Sequence, residues 1–407
     1  MVDQTVNSVD WQRLLDPDIQ DFIHAHASDD VKQLALKKAP DLNWPYSLIL
    51  DQIRVRQKAK TKSHDLYETD SFIFPFNETY EQASSSPCAR YKERLVSGQT
   101  FVDLTAGSGA DSFHIAQGFA SSVLVERDAH SAELLTHNAQ ALQASGWLDG
   151  QISVHHGDAC DYVRDMAAVD AVFIDPQRRE NGRRALYDFS ACSPDIMDLL
   201  PVLKTKAKKI LVKASPFLDI GHATAQLQMV VQVHVVQWQN ECKEVLYLLD
   251  CDSGGQDIDP EITAVDLDDE GRAVKSFSYF TAREKDAVIS CAMPQKYIFE
   301  PGPAFQKAGG FKTMAAQYGV SKLHPNSQLY TAQSPRENFP GKCYEVVGLY
   351  PVKAKDLPVD KADLAVRNFP ASVKELRKKL KLRDGGAHRI FATTLCDDSK
   401  KLILCLK

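Results

Sequence analysis

The residues able to do chemistry in this chain are acids set at the ends of apolar runs and a pair of glycines between the first two of those runs. Phe101-Val102-Asp103-Leu104-Thr105-Ala106-Gly107-Ser108-Gly109-Ala110-Asp111 is an apolar run entering a DxxxGxG turn. Gly107 and Gly109 let the backbone turn tightly at the carboxyl end of a strand, where a ligand approaches without meeting a Cβ. The stretch nearly fits the GxGxxG of nicotinamide-cofactor sites, but Ser112 stands where Gly or Ala is usual. The loop alone leaves a dinucleotide and another nucleoside ligand open. Three later acids favour the second. Glu126 closes the next run, where a carboxylate accepts from ribose hydroxyls; Asp158 follows the third, where it accepts from an adenine amino group; Asp175-Pro176 follows the fourth and faces the reacting centre.

Carboxylates repel a pyrophosphate and attract a cation, so the ligand expected here is a phosphate-free, positively charged nucleoside, S-adenosyl-L-methionine. Each charge-assisted hydrogen bond is worth roughly 1.5 to 3 kcal/mol, and three or four suffice for micromolar affinity. The candidate cofactor-binding residues are Asp103, Thr105, Ala106, Gly107, Gly109, Asp111, Glu126, Arg127, Asp158, Ala159 and Asp175, with Tyr91 closing over the methionine end.

The elements that must position these groups are short β-branched runs alternating with helical stretches. The runs are residues 100–104, 122–126, 152–155, 170–174, 209–213, 230–238 and 244–249. Such alternation predicts an α/β fold with a mainly parallel, seven-stranded Rossmann-like sheet covered on both faces. Residues 1–90 read as short helices; within them Arg54, Arg56, Lys58, Lys60 and Lys62 alternate, which would share one face of an extended segment and spread around a helix. Ser86-Pro87 opens a helix. Residues 250–270 hold nine carboxylates and no Lys or Arg, and read as a solvated loop leading to a hairpin turn at 268–271. Near the end, Ser372-Val373-Lys374-Glu375 is a capping box for a helix, and a hairpin turns about Cys396-Asp397-Asp398-Ser399.

These residues together resemble bacterial class I S-adenosylmethionine-dependent methyltransferases that end in a small ferredoxin-like module and a THUMP-like domain. The resemblance runs from about Gln52 to Lys407. Its marks are Glu81-Gln82-Ala83-Ser84-Ser85 with Tyr91-Lys92, the glycine loop, Asp175-Pro176-Gln177-Arg178-Arg179, Lys213-Ala214-Ser215-Pro216-Phe217-Leu218-Asp219, Lys322-Leu323-His324-Pro325-Asn326-Ser327 and residues 376–382. It implies a class I methyltransferase fold, the cofactor and an RNA-related substrate. It divides the chain into a helical region (1–90), a methyltransferase domain (91–291), a ferredoxin-like module (292–334) and a THUMP-like domain (335–407).

Methyl transfer from a sulfonium is an in-line displacement that mainly needs the acceptor held near the methyl carbon. Asp175 is the candidate that orients or deprotonates an acceptor NH or OH, and Pro176 stiffens its turn. Lys213, at the fifth run's end, binds substrate phosphate or pairs with Asp175 or Asp219. The chain has Gln177 and Arg178 where base-amino methyltransferases commonly carry Pro and an aromatic. Arg178, Arg179, Arg183 and Arg184 either hold phosphates or pair with carboxylates such as Glu180 and Asp188. Carbon-5 methylation needs a cysteine beside the methyl donor, and neither strand end supplies one; Cys160 and Cys192 read as packing residues. Nitrogen or oxygen acceptors are favoured.

Composition bounds the rest. The 407 residues carry a formal charge of -6, 44% hydrophobic and 25% charged residues, ordinary for two to four globular domains. Nine cysteines without a CxxC pair suggest neither a disulfide framework nor a metal site. An acidic amino terminus and the lack of a long apolar window argue against a signal peptide or membrane span, so a cytoplasmic protein is expected. Residues 351–407 carry 14 Lys and Arg against 7 Asp and Glu, leaving the preceding 350 residues at -13. The basic tail is a polyanion-binding surface or a solvated face; Lys374, Arg377, Lys378, Lys379 and Lys381 beside the helix's apolar stripe are its candidate RNA contacts. The expected substrate is structured RNA, ribosomal or transfer. A small-molecule methyltransferase and a non-catalytic RNA-binding protein are the alternatives, and oligomeric state is not legible.

Overall fold

Four of the apolar runs become parallel strands: β1 (Thr100–Asp103), β2 (Ser121–Glu126), β3 (Gln151–His156) and β4 (Val169–Ile174). They continue into β5 (Ala207–Ala214), parallel to β4, while β7 (Glu241–Asp250) lies antiparallel to β5 from Lys209 opposite Asp250 to Ala214 opposite Val245. The order is β3-β2-β1-β4-β5. Ala171 to Ile174 and Ile210 to Val212 are buried without interruption, as strands covered on both faces must be. Strand order reverses between β1 and β4, and such a switch point opens a crevice beyond the carboxyl ends of the strands.

The computed structural model describes residues 11–178, 189–253 and 258–407, which fall into two compact units. One holds residues up to 231 with 245–258 and 267–272; the other holds 232–244, 259–266 and 273–407. The seventh expected strand, β6 (Val230–Trp238), passes from the first unit into the second.

In the first unit the helices Pro17–Ala25, Val31–Ala35 and Tyr46–Lys62 share a core of Leu14, Ile19, Ile23, Ile49, Ile53 and Ile73. The alternating basic segment is therefore helical, because Ile49, Ile53 and Ala59 supply a stripe that only a helix buries together. Its cations are dispersed: Arg56 is buried and donates to the Phe72 carbonyl at 3.3 Å, while Lys58 pairs with Glu81. Two buried amides then fix the chain leading to the crevice. Gln52 exchanges hydrogen bonds with Phe74 (2.6 and 3.2 Å), and Asn138 does so with Ile73 (2.8 and 3.0 Å).

The second unit contains β8 (Glu261–Leu267) and β9 (Ala273–Phe280). Part of the acidic stretch is thus a strand, whose Ile262, Ala264, Val265 and Leu267 are buried while its carboxylates flank them. A seven-stranded sheet follows, ordered β11 (Ser321–Lys322), β12 (Tyr330–Ala332), β10 (Tyr297–Pro301), β13 (Gly341–Tyr350), β16 (Lys400–Leu406), β15 (His388–Thr394), β14 (Asp363–Arg367). The helix Val373–Leu380 carries the expected capping box and buries Leu376 and Leu380 against this sheet's residues Leu364, Ile390 and Leu402. Glu300 on β10 is buried between two guanidiniums, Arg367 at 2.8 Å and Arg389 at 2.7 Å.

Removing one partner of a buried ion cluster strands the others. Glu300→Ala is accordingly expected to destabilise the protein by about 3 kcal/mol, with a smaller loss for Glu300→Gln, read from chemical denaturation; equal stability of all three proteins contradicts the clamp.

Candidate active site

Asp103, at the end of β1, folds its own loop. Its Oδ1 accepts from the Thr105 N–H (2.8 Å) and hydroxyl (3.3 Å), and its Oδ2 from the Ser112 hydroxyl at 2.5 Å. Burial pushes this carboxyl up to about 7, against the opposing pull of those hydrogen bonds and with the help of Asp111 and Asp175 nearby. Thr105 also accepts the Asp175 N–H at 2.7 Å, joining the ends of β1 and β4. Gly107 (φ +53°) donates its N–H to Glu126 Oε2 at 2.9 Å, and Glu126 Oε1 accepts the Asp128 N–H at 2.8 Å. Gly109 (φ +81°) faces inward, where a Cβ would stand 2.3 Å from Phe113 and 2.7 Å from Leu135. A Cβ on Gly107 would meet only the Thr105 carbonyl, at 3.8 Å. One glycine is needed for packing and the other leaves space for a ligand.

A cavity of about 510 Å³ lies over this loop, in the size range of small-molecule sites. Thr105, Ala106, Gly107, Glu126, Arg127, Asp158, Ala159 and Asp175 all line it, together with Asp103 and Asp111. Asp158 caps the helix Ala159–Asp165 through Oδ1, accepting the Cys160 N–H at 2.7 Å, and is exposed. Acids from β2, β3 and β4 thus share one cavity, as a cationic nucleoside without phosphate requires. The donor set fits S-adenosylmethionine: acceptors for ribose and adenine at Glu126 and Asp158, and negative charge near the sulfonium at Asp175.

Two expected cofactor residues stand elsewhere. Gly109 is turned into the packing, and Tyr91, in the helix Ser86–Glu93, is buried with its phenol pushed up by burial and does not line the cavity. Its neighbour Lys92 takes the position toward the site, fully buried, with Nζ 2.9 Å from Asp111 Oδ1. Asp65 braces that helix by accepting from Arg90 and from His114, the latter at 3.0 Å.

Lys213 pairs with Asp175, Nζ to Oδ2, at 2.7 Å, and with Asp111 Oδ2 at 3.2 Å. Asp219 instead caps the helix Ile220–Leu227. Burial alone would raise Asp111, but Lys213 and Lys92 hold it well below the usual carboxylate range. Pro176 is half-buried beside Asp175. Gln177–Arg178 forms a short antiparallel pair with Cys192–Ser193; Arg179, Arg183 and Arg184 lie outside the described residues. In the second unit Lys374, Lys378, Lys379 and Lys381 are exposed, while Arg377 pairs with Asp384. Ser84, Asp195 and Asp198 also line the cavity. Ser84 belongs to the block 81–85 that carries the resemblance, where sequence alone assigns it no role in the site, and Asp195 caps its helix, accepting the Met197 N–H at 3.0 Å.

Gly107→Arg fills the ligand space and sets a cation against the sulfonium; cofactor affinity measured by calorimetry is expected to fall at least about tenfold, the equivalent of 1.4 kcal/mol. Asp103 gives a pH signature. Because its folded pKa lies above the unfolded value near 3.9, the unfolded chain releases the proton first as pH rises, and stability falls between about pH 4 and 7. In Asp103→Asn that component of the slope is expected to vanish in denaturation at pH 4.5, 6 and 7.5; parallel profiles contradict a raised Asp103.

Three family models match the chain: one described as conserved hypothetical protein 95 over residues 83–186, a ferredoxin-like domain over 297–340 and a THUMP domain-like model over 341–407. An uncharacterized S-adenosylmethionine-dependent methyltransferase of Mycobacterium tuberculosis is 22% identical over 317 residues, 75% of this chain and 80% of that protein. Ribosomal RNA small subunit methyltransferase J of Rhodopseudomonas palustris is 31% identical over 143 residues, 31% of this chain and 65% of that protein. The crystal structure of a provisionally named methyltransferase from Porphyromonas gingivalis W83 superposes with a TM-score of 0.84 at 28% identity, covering 98% of each chain. With end-to-end likeness to that structure, matched terminal modules and an acid-lined cavity at the switch point, the chain is an S-adenosylmethionine-dependent methyltransferase that resembles the class I enzymes carrying ferredoxin-like and THUMP-like domains.

Proposed function

We propose that this methyltransferase acts on a nitrogen acceptor that carries a hydrogen, or on an oxygen, in structured RNA, ribosomal or transfer. The observation that carries the reading is Asp175. Its Oδ2 is held by Lys213 at 2.7 Å, its side chain is 38% exposed on the cavity, and Oδ1 has no partner among the described residues. A carboxylate so held accepts a hydrogen bond from an acceptor N–H and takes up its proton as the nitrogen lone pair is committed to the new bond. The bound cofactor supplies an electrophilic methyl carbon on a sulfonium. The chain's own contribution is to place the acceptor beside that carbon and to fix the Asp175 carboxylate through its ion pair with Lys213, which positioning makes effective.

Carbon methylation through a thiolate is disfavoured. Cys160 lines the cavity, but burial and then Asp158 push its thiol up, away from the nucleophilic form. Support for RNA comes from the exposed Lys374, Lys378, Lys379 and Lys381, the THUMP domain-like match and the ribosomal RNA methyltransferase relatives. Lysines held in solvent bind phosphate by charge and release counterions.

Nucleosides from ribosomal and transfer RNA of cells with and without the protein, compared by mass spectrometry, are expected to differ by one methylated nucleoside, restored by the wild-type protein. Asp175→Asn is expected to lower turnover about tenfold or more with cofactor affinity kept. Identical RNA from both cells would remove RNA as the substrate and favour a small molecule.

A further inference from the structure

The charged groups at the carboxyl edge of the sheet form one chain of contacts, and Ser84 is its middle. The Ser84 hydroxyl donates to Asp111 Oδ2 at 2.8 Å and accepts from Lys213 at 3.0 Å and Lys92 at 3.3 Å. Its one proton and both lone pairs are used. Lys92 is ion-paired with Asp111 Oδ1 at 2.9 Å and donates to Ser84 and to the Cys88 carbonyl, both at 3.3 Å. Lys213 donates to Ser84, to Asp111 Oδ2 at 3.2 Å and to Asp175 Oδ2 at 2.7 Å. Two ammoniums balance two carboxylates. None of the four can turn away without leaving a poorly solvated charge behind.

We propose that Lys92 and Asp111 are positioning residues for methyl transfer. Lys92, the most deeply buried of the four, anchors Asp111; Asp111 and Ser84 orient Lys213; Lys213 fixes Asp175 so that Oδ1 meets the acceptor N–H. This rests on the reading of Asp175 given above and extends it inward from the cavity to a lysine that touches no ligand. It assigns Asp111 to the two lysines, and it makes Lys213 a fixed cation with no proton to exchange.

Lys92→Met keeps the volume and removes the charge. With tritiated S-adenosylmethionine as donor and ribosomal and transfer RNA from cells lacking the protein as acceptor, kcat is expected to fall about tenfold or more. The cofactor Kd and the RNA KM are expected to stay within about twofold. In a double-mutant cycle Lys92→Met should add nothing to Asp175→Asn, since both remove the same oriented carboxylate, whereas a general packing defect would multiply the loss. Ser84→Ala changes no charge, is expected to lower kcat severalfold in the same pattern, and carries the test if Lys92→Met does not fold. An unchanged kcat in whichever variant folds, or multiplicative losses in the cycle, overturns the proposal. If Asp175→Asn itself turns over at the wild-type rate, the reading of Asp175 falls first and this inference falls with it.

Discussion

Charge buried at the carboxyl edge of a parallel sheet has to be neutralised on the spot, and here the neutralising partners come from four separate elements. Lys92 belongs to the helix Ser86–Glu93, Asp111 to the end of the glycine loop, Asp175 to the turn after β4 and Lys213 to β5. Isolated, any of them would cost several kcal/mol to desolvate. Together they are satisfied only if all four elements meet in one arrangement. The ion cluster therefore specifies how the helix before β1 docks on the sheet, a job that apolar packing, tolerant of small shifts, does less sharply. Asp65, accepting from Arg90 and His114, repeats the device one turn away.

The cavity divides accordingly. On the β2 and β3 side, Glu126 accepts backbone N–H groups from Gly107 of the glycine loop and from Asp128, and Asp158 accepts that of Cys160, which fixes both acids while leaving capacity for a ligand's donors. On the β4 and β5 side the carboxylate is paired with a cation instead. The acids on the first side face the cavity with acceptor capacity to spare; the acid beyond β4 is held by a cation. Thr105 links the two sides through Asp103 and the Asp175 N–H, so a loop that shapes the cofactor site also sets the height of the reacting turn.

The parallel strands were legible because a strand buried on both faces has to be a nearly unbroken apolar run, and 170–174 and 209–213 are such runs. The glycine loop, the acids at the strand ends and the capping box at Ser372 were legible because each is a local rule with fixed spacing. What escaped reading is non-local. The partners of Asp111 in the ion cluster, Lys92 and Lys213, lie 19 and 102 residues away in the sequence. Of the neighbours Tyr91 and Lys92, it is Lys92 that the fold pairs with Asp111. The basic segment 54–62 left an extended face or a helix open, and the buried Ile49, Ile53 and Ala59 decide for the helix. Residues 261–267 misled, since acidic composition masked four buried apolar side chains.

The basic carboxyl-terminal tail shows why a count of charges could not decide its role. Its arginines are largely structural: Arg367 and Arg389 clamp Glu300, Arg377 reaches Asp384 and Arg383 reaches Asp360. Each of the four guanidiniums spends one nitrogen on one carboxylate oxygen, and the two on Glu300 are largely buried. The lysines of the helix Val373–Leu380 and its cap differ; among the described residues Lys374, Lys378, Lys379 and Lys381 make no ion pair and stand exposed. A fold that merely needed solubility would gain as much from carboxylates. Positive charge held out of the fold's own ion pairs keeps its full attraction for a polyanion, and the helix beneath it is fixed by Leu376, Leu380 and its capping box, so the charges sit on a rigid support. Arginine in the ion pairs and lysine on the open face of the helix is a division that only the folded arrangement separates.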